Sequence, residues 1–325
     1  MTGPLTSLLT FAQTPHVRII MACRNGAAYL PEQLASFERQ THRNWSLDAS
    51  DDGSTDATRE ILEAFRQRHP KQVRLFDGPK AGVAPAFLTL AARAAKEAPE
   101  AVLALSDQDD VWSKVKLARA LRWMKRTGDL GHDPLVYASR TILTDTRLNK
   151  LGLSHLHRRG PSFRNALVQN ILGGNTLMLS PPAAAILAQS AQAAIAARVS
   201  YHDWWIYIML SGAGAEIFND PKPTLYYRQH GSNQLGHHGP VRGRLKRLGT
   251  VAKRHYAEWL DANLAALWAN RLALTPENDA LLTRFVAARR TGGGAYARAL
   301  RELNIHRQTL QGDRVLQVMA RTGRL

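Results

Sequence analysis

The sequence is short of several residue types on which particular classes of protein depend. Cys23 is the only cysteine among 325 residues, so the chain has no internal disulfide framework and too few thiolates for a cysteine-based metal site. No apolar run reaches the ~18–20 residues that span a bilayer, because polar residues interrupt even the Ala-rich stretch 182–197. Residues 1–16 lack a basic start before an apolar run, so we expect a loose leader and no signal peptide. A reducing, cytoplasmic environment is therefore predicted.

Acidic residues are also scarce. The chain has 43 Lys and Arg against 26 Asp and Glu, with a net charge of +17 and a pI near 10.5. Segment 241–325 alone carries sixteen basic residues against six acidic ones. Such a surplus is typical of proteins that meet polyanions, namely nucleic acid, anionic lipid or phosphorylated substrates. The alternative is an ordinary solvated surface that is rich in arginine.

The N-terminal third alternates between strand and helix patterns. Apolar runs predict strands at 17–23, 45–49, 73–76 and 101–105. Apolar residues at helical spacing predict helices at 30–37, around 61–65, and at 84–97. Ser54 or Thr55 is expected to cap the second of these helices. The alternation at short spacing predicts an α/β fold, with a mostly parallel sheet and helices on both faces.

The remainder of the chain is predicted to be mixed and then wholly helical. A strand at 135–139 and a helix at 203–210 are expected in the mixed part. From about 241 only helical patterns occur, and one helix has an apolar stripe of Tyr256, Leu260, Leu264 and Leu267. Thr275–Pro276 is expected to start the next helix, and Gly292–Gly294 is expected to be a hinge or linker.

These patterns divide the chain into three parts. We predict a leader at 1–16, an α/β domain at 17–240 and a basic helical extension at 241–325. The extension has two readings: a basic amphipathic surface that meets an anionic membrane, or a cap that packs on the α/β domain or forms a homodimer.

Two acidic clusters follow predicted strands. Asp107, Asp109 and Asp110 come directly after the strand at 101–105, where ligands bind in open α/β sheets. Hard carboxylate oxygens suit Mg²⁺ or Mn²⁺, which would also bridge substrate phosphates; the alternative is a helix start with acids near its dipole. The second cluster, Asp51–Asp56, follows the strand at 45–49, and its alternative is a plain turn with a helix cap.

Six motifs in one order resemble family-2 glycosyltransferases of the GT-A fold. They are Ala22–Leu30, Asp51–Asp56, Ser106–Trp112, Gly173–Thr176, His202–Trp205 and Tyr227–Asn233. The Ser-Asp-Gln-Asp-Asp-Val-Trp variant is most similar to the rhamnosyltransferase-like branch, which builds bacterial surface polysaccharide. The resemblance covers about 17–235. One departure is Ala86, where relatives usually carry Asn.

The resemblance implies roles for individual residues. Asp51 would accept a hydrogen bond from the N3–H of a pyrimidine base, Asp109 would ligate the divalent metal, and Asp203 would be the catalytic base. His230 would be a second metal ligand or a diphosphate contact; the alternative is an ordinary loop histidine. The implied nucleotide-sugar contacts are Ala22, Arg24, Asn25, Asp51, Asp52, Ser54, Lys80, Asp107 and Gln108. The implied acceptor or sugar contacts are Gly174, Asn175, Thr176, His202, Trp204, Trp205 and Arg228, although the tryptophan pair is also typical of a core.

The function implied by the resemblance is a metal-dependent, inverting sugar transfer. The expected donor is dTDP-rhamnose and the expected acceptor is a hydroxyl group of a glycan or lipid-linked glycan at the inner face of the cytoplasmic membrane. A UDP-sugar donor is the nearest rival, because the pyrimidine contact does not separate uracil from thymine. A nucleic-acid-binding protein is the other alternative that the charge raises. Zinc-finger spacing, aromatic RNP runs and helix-turn-helix signals are missing from the sequence, so no nucleic-acid partner is expected.

Overall fold

The computed structural model describes residues 14–230, 245–323 and 325, with side chains from residue 255 onward in the second range. The strands are β1 (Val17–Cys23), β2 (Trp45–Asp51), β3 (Val73–Asp77), β4 (Val102–Ser106), β5 (Val111–Trp112), β6 (Leu135–Ser139), β7 (Ile142–Thr144), β8 (Lys150–Leu153), β9 (Met178–Leu179), β10 (Glu216–Asp220) and β11 (Leu225–Arg228). The helices are α1 (Leu30–Glu38), α2 (Thr58–Arg68), α3 (Val83–Glu97), α4 (Lys116–Thr127), α5 (Phe163–Ala166), α6 (Pro181–Ala196), α7 (His202–Gly212), α8 (Leu245–Ala269), α9 (Pro276–Thr291), α10 (Gly293–Glu302) and α11 (Leu310–Arg321).

Seven strands form the central sheet, in the order β10-β6-β9-β4-β1-β2-β3. The pairs β10–β6, β4–β1, β1–β2 and β2–β3 are parallel, and the short β9 runs antiparallel between β4 and β6. A second sheet of four short strands has the order β5-β11-β7-β8. The predicted mostly parallel sheet is confirmed.

Two apolar clusters cover the two faces of the central sheet. In β1, Ile19 and Met21 pack with α1, α2 and α4, whereas Ile20 packs with α3, α6 and α7. In β4, Ala104 belongs to the first cluster and Leu105 to the second. Successive side chains of a strand point to opposite faces, so a continuous apolar run is what a sheet with helices on both faces requires.

The C-terminal helices extend the second cluster. Leu260, Leu264 and Leu267 of α8 are buried in it, together with Phe285 of α9 and Leu316 of α11. The predicted apolar stripe of α8 therefore packs on the same core as α3, α6 and α7. The predicted boundary near residue 240 lies outside the described residues, so the division into domains stays a prediction. In the described ranges, every helix is too short or too polar to cross a membrane.

The predicted cap of the second helix was wrong. The helix begins at Thr58 with Ala57 as its N-cap residue and no side-chain cap. Ser54 and Thr55 contact the loop after β1 instead, because Asn25 donates its backbone N–H to Ser54 Oγ and accepts from the Thr55 N–H. The two hydroxyl residues therefore join adjacent loops and do not begin a helix.

Two other local predictions were corrected. Only Gly292, at φ +64, separates α9 from α10, and Gly293 and Gly294 already belong to α10. The rings of Phe285 and Tyr296 lie 6.0 Å apart across this break, so the two helices share one core and are not joined by a linker. Part of the leader also contacts the sheet, because the Val102 N–H donates to the carbonyl oxygen of His16; residues 1–13 lie outside the described residues.

Candidate functional site

A cleft of about 840 Å³ lies at the carboxyl ends of the central strands. The last residue of β1, Cys23, pairs with the last residue of β2, Asp51, and Met21 pairs with the last residue of β4, Ser106. This register brings the loops after β1, β2 and β4 to one edge of the sheet. That edge is where open α/β sheets bind ligands.

Three carboxylates meet in the loop after β4. Oxygen atoms of Asp107, Asp109 and Asp110 all lie within 4.8 Å of one another. Asp107 and Asp109 are half-buried and line the cleft, whereas Asp110 is fully buried. Burial and the neighbouring carboxylates raise the pKa of Asp107 and of Asp110, because both disfavour the charged form.

A buried network lies beneath the cluster. Asp110 accepts a hydrogen bond from the Asn175 side-chain amide at 2.6 Å and from the Arg228 backbone N–H at 3.4 Å. Lys116 is fully buried, donates to the Asn175 carbonyl oxygen at 2.7 Å and lies 3.9 Å from the centre of the Trp112 ring. Burial lowers the pKa of Lys116 to about 7, against the opposing effect of Asp110 and Asp107. The network joins the acidic loop, the turn at 174–176 and β11.

His230 and Arg228 bring the end of β11 to the same loop. His230 Nε2 lies 2.6 Å from Asp109 Oδ2, and its ring stacks on Tyr29 at 5.1 Å. The Arg228 guanidinium is buried, donates to the Asp109 carbonyl oxygen at 3.0 Å, pairs with Glu32 at 2.5 Å and covers the Tyr29 ring. Arg228 therefore lies under the site as a support.

The loops after β1 and β2 form the other end of the cleft. Gln108 makes two hydrogen bonds of 2.9 Å with the backbone of Arg24, one as acceptor and one as donor. The Asp52 carboxylate accepts from the backbone N–H groups of Lys80 at 2.6 Å and Gly82 at 3.3 Å. The carboxylate of Asp51 accepts hydrogen bonds from Ser54.

Asp203 lines the cleft at the start of α7. Its half-buried carboxylate accepts from the Trp204 backbone N–H at 2.7 Å. Burial raises the pKa of Asp203 to about 6, and hydrogen bonds from the backbone N–H groups of Trp204 and Gly174 and from the Asn170 side chain oppose this effect. A carboxyl group with this pKa is ionised at neutral pH yet more basic than a solvated one, so it can take a proton from a hydroxyl group.

His202 packs against the turn that carries Gly174. Its ring stacks on Phe87 at 4.1 Å, and burial lowers its pKa to about 3. Its Nε2 atom is shielded from solvent and has no hydrogen-bond partner within the described part of the chain. A Cβ atom at Gly174 would lie 2.6 Å from that atom, so a glycine is required there. His202 is therefore a neutral packing group at neutral pH.

The tryptophan pair lies in the core. Trp205 is fully buried and donates to Ser190 Oγ, and Trp204 is 5% exposed and donates to the carbonyl oxygen of Ala166. Trp204 and Trp205 were predicted either to contact a sugar or to belong to the core, and their placement agrees with the core.

Most of the predicted site residues meet in the cleft. Those that line it are Ala22, Arg24, Asn25, Asp52, Asp107, Gln108, Asp109, Gly174, Asn175, Thr176, His202, Asp203 and His230. Among the described residues, the predicted contacts that do not line it are Asp51, Ser54, Lys80, Trp204, Trp205 and Arg228. The last three residues of the Tyr227–Asn233 motif lie outside the described residues.

Several residues at or beneath the cleft were not predicted from the sequence. Lysine and glutamate are usually exposed residue types, so the sequence does not mark Lys116 or Glu32 as part of the site. Their partners, Asn175 and Arg228, are distant in the chain. Tyr201 also lines the cleft and precedes the His202–Trp205 motif directly.

The donor set of the acidic loop fits a hard divalent cation. Carboxylate oxygens are the ligands that Mg²⁺ and Mn²⁺ prefer. Asp110 uses its oxygens on Asn175 and Arg228, so Asp107 and Asp109 are the two carboxylates of the cluster that face the cleft.

The chain is similar to known glycosyltransferases in sequence. The family model described as Glycosyl transferase family 2 matches residues 18–193. A dTDP-rhamnosyl transferase, RfbG, of Shigella flexneri is 27% identical over 73% of this chain and 80% of its own length. A putative teichuronic acid biosynthesis glycosyltransferase, TuaG, of Bacillus subtilis is 30% identical over 34% of this chain and 42% of its own length.

Two solved structures are similar to most of the chain. The Staphylococcus aureus TarS 1–349 complex with UDP-GlcNAc is 15% identical, with a TM-score of 0.49, over 95% of this chain and 92% of that one. The mannosyltransferase PcManGT from Pyrobaculum calidifontis, in complex with GDP-Man and Mn²⁺, is 18% identical, with a TM-score of 0.49, over 95% of this chain and 85% of that one.

Proposed function

We propose a specific reaction for this chain. The chain belongs to glycosyl transferase family 2 and is a nucleotide-sugar glycosyltransferase with the predicted GT-A fold. The reaction is transfer of rhamnose from dTDP-rhamnose to a hydroxyl group of a glycan or lipid-linked glycan, in the synthesis of bacterial surface polysaccharide. The similarity to a dTDP-rhamnosyl transferase supports this donor. A UDP-sugar is the alternative donor.

One observation supports the proposal above all. Asp203 lines the same cleft as Asp107 and Asp109, so a carboxylate suited to act as a base and a pair of carboxylates suited to hold a cation face one space. The carboxylate pair would hold the cation that the donor diphosphate requires, and the base would take the proton of the acceptor hydroxyl.

At the donor end, we propose that the loops after β1 and β2 bind the nucleotide. Gln108, in the loop after β4, holds the loop after β1 through two hydrogen bonds with the Arg24 backbone. Asp51 ends β2, is 9% exposed and does not line the cleft, so its contact with the base stays a prediction from the resemblance. Asp107 and Asp109, with His230 beside Asp109, would hold Mg²⁺ or Mn²⁺. That ion, when bound, supplies positive charge at the leaving diphosphate.

At the acceptor end, we propose a single displacement. Asp203 accepts the proton of the acceptor hydroxyl, the oxygen bonds to the anomeric carbon of the donor, and the bond from that carbon to the diphosphate oxygen breaks. The nucleoside diphosphate leaves with the electron pair. Attack opposite the leaving group inverts the anomeric centre.

The test is replacement of the base. Asp203→Asn keeps the shape and removes the proton acceptor, so acceptor-dependent release of nucleoside diphosphate should fall about 10²–10⁴-fold, while donor affinity is unchanged. The matched control is Asp261→Asn, an exposed position on α8. Retention of transfer by Asp203→Asn would refute the assignment, and NMR of the product reports the anomeric configuration.

We also propose that the protein associates with the inner face of the cytoplasmic membrane through α11. Leu310, Arg314, Val318 and Arg321 follow one another at helical spacing and are exposed, which is an apolar and cationic face suited to anionic lipid. Vesicles containing phosphatidylglycerol should retain the wild type, and Leu310→Glu/Val318→Glu should abolish retention. Equal retention of both proteins would refute this surface.

A further inference from the structure

The helix α8 carries two aromatic side chains on one face. Tyr256 and Trp259 are three positions apart, so they are neighbours on the helix surface. Both are half-buried. They lie in the basic extension, to which neither the composition nor the family motifs assign a role in catalysis.

These two rings contact the residues on either side of the His202–Asp203 pair. The Trp259 ring meets Tyr201 edge to face, with centroids 5.0 Å apart at 88°. The Tyr256 ring lies 6.0 Å from the Trp204 ring at 31°. The extension therefore packs directly on the start of α7, where Asp203 lies.

Two hydrogen bonds fix the same region. Tyr256 Oη donates to the Val168 carbonyl oxygen at 2.6 Å, and Trp204 Nε1 donates to the Ala166 carbonyl oxygen at 2.7 Å. This segment leads to Asn170, which lines the cleft and hydrogen-bonds to the Asp203 carboxylate. A shift of α8 would consequently move both the backbone of Asp203 and a partner of its side chain.

Tyr201 is the member of this group that lines the cleft. Burial and the negative charge of Asp203 both raise the pKa of Tyr201. A half-buried aromatic ring with a hydroxyl group offers an apolar face and one polar atom. The C–H faces and hydroxyl groups of a pyranose complement that combination.

We propose that α8 builds the acceptor end of the cleft: Tyr256 and Trp259 are positioning residues for Asp203, and Tyr201 is a wall on which an acceptor pyranose stacks. The inference rests on the proposed function, because it assigns the acceptor of that same site. It gives the extension a role in acceptor binding that is independent of its charge.

The experiment compares two tryptophans of one helix. Trp259→Ala and Tyr201→Ala are measured against Trp268→Ala, an exposed position whose ring contacts Arg271. Methyl glycosides of rhamnose, glucose and galactose serve as acceptors. Tyr201→Ala should raise the KM for the acceptor about five- to tenfold and leave the donor KM within about twofold. Trp259→Ala should also lower kcat for transfer, because it loosens Asp203, and Trp259→Phe should largely restore kcat. Trp268→Ala should leave both KM values, kcat and the acceptor-free hydrolysis of the donor within about twofold.

A second measurement needs no donor. Saturation-transfer NMR with the same glycosides should show binding by the wild type and by Trp268→Ala, and weaker binding by Tyr201→Ala. Equal effects of Trp259→Ala and Trp268→Ala, a parallel rise in donor KM, or no glycoside binding by the wild type would overturn the inference. Failure of the wild type to bind or hydrolyse any nucleotide-sugar would instead refute the proposed function. Far-ultraviolet circular dichroism identifies a variant that has not folded, and Trp259→Phe then decides.

Discussion

Lys116 should be among the most sensitive residues of the fold outside the apolar core. It is fully buried, donates to the Asn175 carbonyl oxygen and opposes the charge of Asp110 and Asp107. Lys116→Met approximates the length of the side chain but leaves the buried Asn175 carbonyl oxygen without this donor. It also removes a group that, with a pKa of about 7, is partly cationic at neutral pH beside Asp110 and Asp107. Breaking a buried arrangement of this kind costs roughly 3 kcal/mol.

The assay is urea unfolding at neutral pH with chelator present, so that metal binding does not contribute. Lys125→Met, an exposed position on the same helix, should change the free energy of unfolding by less than about 0.5 kcal/mol. In Lys116→Met/Asp110→Asn the loss should be smaller than the sum of the two single losses by about 1 kcal/mol or more. A loss in Lys116→Met no larger than in Lys125→Met, or strictly additive losses, would show that Lys116 does not stabilise the acidic loop.

Three further predictions concern the cleft. His202→Gln should reduce the acid sensitivity of the fold. The pKa of His202 is about 3 in the folded state, so between about pH 6.5 and pH 3 mainly the unfolded chain binds this proton. The free energy of unfolding of the wild type should therefore fall by about 2 kcal/mol more than that of the variant between pH 7 and pH 5, and parallel pH profiles of unfolding would contradict this. Gly174→Ala should lower kcat and reduce the free energy of unfolding by about 1–3 kcal/mol, because the added Cβ would lie 2.6 Å from His202 Nε2. Gly173→Ala should have smaller effects, since its Cβ has its closest contact at 3.1 Å. Larger losses of kcat and Tm in Gly173→Ala than in Gly174→Ala would exclude the clash. Ser54→Ala should raise the donor KM without changing the acceptor KM, since Ser54 joins Asp51 to the loop after β1; unchanged donor kinetics would show that this link does not orient the donor.

The order of strands and helices in the N-terminal third could be predicted because each apolar run there is short and bounded by polar residues. Such runs are typical of strands that are buried on both faces, and β1 and β4 are of this kind. The acidic residues of the cleft were also predictable, since Asp107 and Asp109 follow β4 directly.

Residues that depend on distant partners could not be predicted in the same way. The sequence does not indicate that Lys116 reaches Asn175 or that Arg228 pairs with Glu32, because these pairs form only when β11 and the turn at 174–176 pack under the acidic loop. Thr275 caps α9 as predicted, but the cap predicted for α2 was wrong for a related reason. Ser54 has good capping chemistry, but the loop after β1 is a competing partner that only the sheet register brings near.

A metal-dependent nucleotide-sugar site at Asp109 can be tested by a thermal shift with dTDP and with UDP, each with and without Mn²⁺, on the wild type and on Asp109→Ala. A ligand at ~100 times its Kd should stabilise the fold by about 2.7 kcal/mol. We expect a metal-dependent rise in Tm for the wild type that Asp109→Ala loses, and the nucleotide with the larger shift indicates the donor. A wild type that responds to neither nucleotide in the presence of metal, or a variant that responds equally, would contradict a metal-dependent nucleotide-sugar site at Asp109.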